Sequence, residues 1–116
     1  MKYTFVRVGG LAAALLLVTP QMSLGAAIAP SAILSNVQSY DGQAVSVTGT
    51  IKNFQARTTP RGRFSRYQIC DNQCIQVIDP RGGTQTDGST ATVDGTFHAS
   101  LRNRRKTLQD VIIVGR

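Results

Sequence analysis

Between Arg66 and Ile78 the chain reads RYQICDNQCIQVI, a stretch that is nearly a mirror about its centre. If Asp71, Asn72 and Gln73 form a three-residue turn, Cys70 faces Cys74, Ile69 faces Ile75, Gln68 faces Gln76 and Tyr67 faces Val77. Like meets like at every step, and this fixes the register, because a slip of one residue sends every apolar side chain to the wrong face. The stretch predicts a hairpin with Tyr67, Ile69, Ile75 and Val77 turned to a core. Phe64, Arg66, Gln68, Gln76 and Ile78 then share the opposite face.

Cys70 and Cys74 are the only cysteines of the chain. Their C-x3-C spacing differs from the C-x2-C of zinc knuckles and thioredoxin-like sites, and one His and no Glu leave a metal short of ligands. No metal and no cofactor is expected. Directly opposed strand residues lie within disulfide reach, so we read the pair as a staple; reduced structural thiols and a redox or metal pair are the alternatives. The compartment bears on that choice. Lys2 and Arg7 precede the apolar run Leu11 to Val18, followed by Pro20 and the small residues SLGAA, as in a secretory signal peptide cleaved near Gly25 to Ala27. A retained anchor is the alternative, but the run falls short of the ~18 to 20 residues of a membrane span. The expectation is an exported protein, periplasmic or secreted, with residues 1–26 removed, no transmembrane span in the mature chain, and a setting that favours the disulfide.

Residues 27–40 predict one short helix, with Ser31 as N-cap after Pro30 and Ile33, Leu34 and Val37 on one face. The remainder, 41–116, alternates with period two. AVSVTGTIKNF puts Val45, Val47 and Ile51 on one face, with Gly49 as the site of a bulge or bend. RFSRYQIC and CIQVID are the hairpin, DPRGGTQTDGST is a polar loop, ATVDGTFHASL turns Val93, Phe97 and Leu101 inward, and TLQDVIIVGR supplies a fifth strand. VTGTI and VDGTF share V-x-G-T before a large apolar residue, which suggests two strands bent alike and a small coiled barrel; an open meander is the structural alternative.

In this order, a bent Gly-containing strand in DGQAVSVTGTIKN, the hairpin RYQICDNQCIQVI, a linker, then ATVDGTF and DVIIV, the chain from about Tyr40 to Val114 resembles an oligonucleotide/oligosaccharide-binding (OB) fold, as found in small exported bacterial domains. The resemblance implies an all-β, five-stranded OB-like barrel. It is reduced, since RGGTQTDGST replaces the helix many such domains carry between their third and fourth strands. It also implies a ligand face on strands two and three, flanked by the loops joining strands one to two and four to five.

Catalytic chemistry has little material here. All six acids are Asp, four of them in turn-like settings where the side chain caps its own backbone, and His98 stands alone on a polar strand face. The protein is not expected to be an enzyme. The charge is more telling: thirteen Lys and Arg against six Asp give +7 for the full chain. Most of the basic residues beyond the leader fall in NFQARTTPRGRFSR and LRNRRK, the two segments that the resemblance places beside the ligand face. Arginine offers planar bidentate donors to phosphate or sulfate. The expected site is therefore Arg57, Arg61, Arg63, Arg102, Arg104, Arg105 and Lys106 on the phosphates of a nucleic acid or another anionic polymer, Arg66 on the floor, and Phe64 as a stacking ring. A protein partner in the cell envelope, met along an exposed strand edge, is the second reading.

Overall fold

The hairpin forms with the register its symmetry dictates. In the computed structural model, which describes residues 26–115 apart from the side chain of Asn103, β2 (Gly62–Cys70) and β3 (Cys74–Asp79) pair antiparallel. Tyr67 lies opposite Val77, Gln68 opposite Gln76, Ile69 opposite Ile75 and Cys70 opposite Cys74. The two cysteines are joined by a disulfide with their Cα atoms 4.1 Å apart. Asp71 closes the turn by accepting the Gln73 backbone N–H at 3.0 Å.

Three further strands complete the sheet: β1 (Ala44–Thr59), β4 (Thr90–Asn103) and β5 (Lys106–Val114). The order β1-β2-β3-β5-β4 closes on itself through β1 and β4, and only β3 and β5 run parallel. The sheet is thus all-β, five-stranded and closed, and the open meander is set aside. Its interior is filled by Val45, Val47, Ile51, Tyr67, Ile69, Ile75, Val77, Val93, Phe97 and Ile112, with Ile33 from the N-terminal segment. The echo VTGT/VDGT has a structural meaning: Val47 pairs with Val93, so the two motifs run antiparallel across one seam, Gly49 facing Ala91 and Gly95 facing Val45. Gly49 marks a close approach, since a Cβ there would lie 2.6 Å from the Cys70 carbonyl oxygen. The expected irregularity of the strand falls later, between Lys52 and Gln55, where Asn53 takes φ 57°.

The N-terminal segment differs from the single helix expected. It makes two short ones, α1 (Pro30–Leu34) and α2 (Val37–Tyr40), and Ala29 rather than Ser31 is the N-cap of α1. Pro30 starts the helix because its fixed φ suits the first turn. The Ser35 hydroxyl then turns back to the Ser31 carbonyl at 2.7 Å, competing with continuation of the backbone ladder. Ile28 is held beside β1 by its N–H to Ser46 O at 2.9 Å and its carbonyl to Thr48 N–H at 3.0 Å. Ile33 caps the core at 0% exposure. The Ser31 hydroxyl donates to the Asp71 carboxylate, tying α1 to the stapled turn.

Among the described residues no helix is long and apolar enough to cross a membrane. The expected leader, residues 1–26, lies outside the described residues except for Ala26.

Candidate ligand-binding face

The outer face of β2 and β3 carries the expected set: Phe64, Arg66, Gln68, Gln76 and Ile78 are all half-buried while their neighbours point into the core. Register extends this face sideways. Arg57 of β1 lies opposite Phe64 and Gln55 opposite Arg66, while on the far side Gln76 meets Val111 and Ile78 meets Ile113. His98 of β4 pairs with Val111 and joins the same face.

Both basic segments, expected as loops, are largely strand. β1 runs on to Thr59, so Arg57 is a strand residue, and the connection shrinks to Pro60 and Arg61 between the paired Thr59 and Gly62. In LRNRRK, Leu101 and Arg102 belong to β4, Lys106 begins β5, and only Arg104 and Arg105 form the tip, with Arg104 at φ 54°. The reason is common to both. Each hairpin outruns the core, so its strands are polar on two faces and carry no alternation to betray them.

Leu101, expected to point inward, is half-exposed on the outer side. β4 pairs with β1 only as far as Thr96, so at Leu101 no core lies beneath the strand. Nearby, β5 passes through Asp110 at φ 51° between the pairs His98–Val111 and Ser100–Gln109. Leu101 instead helps to floor a groove of about 610 Å³. Phe64, Ile78, Pro80 and Ile113 supply the rest of its apolar lining, His98 stands in one wall, and Thr59, Arg61, Gly62 and Arg63 form the rim at the β1–β2 tip.

Next to the groove lies a polar hollow of about 320 Å³, lined by Asn53, Gln55, Arg66, Tyr67, Gln68 and Gln76. Asn53 Nδ2 donates to Gln68 Oε1 at 2.7 Å, and Arg57 Nη2 donates to Gln55 Oε1 at 3.1 Å. Phe54 sits half-buried against the core, its ring 6.1 Å from that of Tyr67. Burial raises the Tyr67 phenol above its usual value and nearby Asp79 adds to this, against a smaller lowering by its hydrogen bond with Gln85.

The expected residues thus divide. Arg61, Arg63 and Phe64 line the groove, Arg66 lines the hollow, and Arg57 stands beside Phe64. Arg102, Arg104, Arg105 and Lys106 lie on the β4–β5 hairpin and line neither. Among the described residues, the one arginine side chain held by a hydrogen bond is Arg57, and no arginine of the two segments is ion-paired with a carboxylate.

Besides Asp71, four of the six aspartates are engaged elsewhere. Asp79 accepts the N–H groups of Arg81 (2.9 Å) and Gly83 (3.1 Å), Asp87 that of Phe54 (2.8 Å) and Asp41 that of Ala99 (2.9 Å), while Asp94 accepts the Ser46 hydroxyl. Among the described residues no group of three or more His, Cys, Asp or Glu side chains is placed to hold a metal ion. No protein-family model matches the chain, and no curated protein matches it.

Proposed function

We propose that this protein is an exported, non-enzymatic binding module of the OB type, similar to small exported bacterial OB domains, that takes an anionic oligomer across the outer face of β2 and β3. Single-stranded nucleic acid is the ligand that best suits the side chains. The observation that carries the reading is the pairing of opposites in one groove: Arg61 and Arg63, unneutralised by any described carboxylate, rim a floor of Phe64, Ile78, Leu101 and Ile113. Phosphates meet the guanidinium forks while a base lies on Phe64 and the aliphatic floor. The strand order β1-β2-β3-β5-β4 supports the OB reading. A binding rather than catalytic role is supported by the aspartates, five of six of which hold backbone N–H or hydroxyl groups. The disulfide agrees with export into an oxidising compartment.

The test is fluorescence anisotropy of residues 27–116 with labelled single-stranded DNA, at low salt and at ~150 mM. Saturable binding is expected at both, and Arg61→Ala and Arg63→Ala should each lower the log–log salt slope by about 0.7, the share of one neutralised phosphate on a single strand. Binding confined to low salt and indifferent to these substitutions would reduce the charge to a generic surface property.

A second reading rests on a different observation. β1 pairs with β4 only to Thr50, and the β3–β4 loop covers the next stretch through Ile51, Gly88 and Ser89, so among the described residues one edge of β1 from Gln55 to Thr59 has no strand beside it. An envelope protein adding a strand there is the alternative partner, and its binding would depend little on salt.

A further inference from the structure

The groove accounts for phosphate and stacking; the polar hollow beside it has a chemistry of its own. Its volume falls in the ~300 to 1,000 Å³ range of small-ligand sites. Four carboxamides and one guanidinium converge there, and no carboxylate lines it. Three of the amides are spoken for in part: Asn53 donates through Nδ2 to Gln68 Oε1, and Gln55 Oε1 accepts from Arg57. Among the described residues, nothing holds the Arg66 guanidinium or the Gln76 amide. Asn53 reaches the hollow only through a left-handed backbone at φ 57°, a conformation tolerated by Asn and often kept where a side chain must be aimed.

The hollow thus offers a forked donor, Arg66, beside amide oxygens of Asn53 and Gln76 that accept. In a single strand every edge of a base is open to such interactions. Guanine presents O6 and N7 as adjacent acceptors to a guanidinium, and N1–H with the 2-amino group as adjacent donors. Cytosine has an adjacent acceptor pair but a single amino group, and adenine and thymine lack the adjacent pair. Because Arg66 follows Phe64 on the same face of β2, a base in the hollow is the neighbour of one stacked in the groove.

We propose that the hollow is a base-reading subsite that selects guanine through Arg66, Gln76 and Asn53, so that the domain prefers sequence as well as charge. The inference rests on the nucleic-acid reading above.

The experiment compares competition by dT12 with dT12 carrying one central dG, dA or dC, strands equal in charge. One dG is expected to bind about tenfold tighter than one dA, the discrimination of a good bidentate pair, with dC between them. Arg66→Lys, which keeps the charge and loses the fork, and Gln76→Met, which keeps the bulk and loses the amide, each bring that ratio close to one. Both positions are half-exposed, and circular dichroism checks that the variants fold. Equal binding of the dG and dA strands, or a preference that survives both variants, overturns the subsite and leaves the anionic groove standing. Absence of saturable binding to every strand overturns the nucleic-acid reading itself, and the subsite with it.

Discussion

Gly95 passes so close beneath Ile113 that a Cβ at this position would lie 2.4 Å from the Ile113 carbonyl oxygen and 2.8 Å from Ile112 Cγ2. Its counterpart Gly49 meets the Cys70 carbonyl oxygen at 2.6 Å in the same sense. In both cases the obstacle is backbone, which has no rotamer to offer. These glycines let the paired strands β1 and β4 lean over their other neighbours, β2 and β5, and so close the sheet.

Gly95→Ala and Gly49→Ala should therefore each destabilise the protein by roughly 3 kcal/mol, the upper range for an overpacked core. Urea melts monitored by circular dichroism measure this. A change below about 0.5 kcal/mol in either variant would show that the closure does not depend on the close approach.

Breaking the Cys70–Cys74 bridge tests the staple. The closed loop is short, and the chain-entropy account assigns it about 2 kcal/mol, a sizeable share of the few to about a dozen available to a domain of this length. The double variant Cys70→Ser/Cys74→Ser should keep its β-type circular dichroism and lose about that amount. Thiol titration of the unfolded, unreduced protein should find no free thiol; two would remove the staple.

Alkaline pH probes the core through Tyr67. Burial, the leading cause, holds its phenol above the ordinary value of 10.0. The folded form thus favours the neutral ring, and the stability linked to this group is present below the unfolded value and lost as pH rises through the folded one. Phenolate absorbance should show Tyr67 ionising later than free tyrosine, in step with unfolding. Tyr67→Phe should flatten the decline in stability on that side of the pH range; an unchanged decline would place its cause elsewhere.

Acid pH probes the tie between α1 and the stapled turn. The Ser31 hydroxyl, first, and the Gln73 N–H hold the Asp71 carboxyl below its ordinary value of 3.8. Its contribution is present above the unfolded value and lost as pH falls through the folded one. Asp71→Asn and Ser31→Ala should each speed hydrogen exchange at Ile33 and Ser35 near neutral pH, and both differences should shrink in acid as wild-type Asp71 takes up its proton. Equal protection in all three proteins near neutrality would show that α1 is held by the burial of Pro30 and Ile33 without the tie.

The parts legible in sequence are those where two signals agree. In β2 and β3, cysteine spacing and apolar phase point to one register, and the structure has it residue for residue. In TTPRGR and NRRK the alternation vanishes because the hairpins stand clear of the core, and residues polar on both faces read as loop although all but the two at each tip are paired strand. Ile78 is legible as outward-facing. Its grouping with Ile113 and Leu101 is not, because it depends on the parallel pairing of β3 with β5, a long-range arrangement that leaves no local mark. The hollow is hidden for a related reason, since Asn53 reaches it through an irregularity of β1.

The two-residue connection at Pro60 and Arg61 also limits how this protein can diverge. Arg57 shares a face with Phe64 only because the strands between them count evenly from that turn. A one-residue deletion in either arm turns the arginine to the far side, whereas removal of a matched pair, one residue from each arm, leaves it opposite Phe64. Across descendants of such a chain the arm can lengthen or shorten in even steps, and its charge stays with its ring.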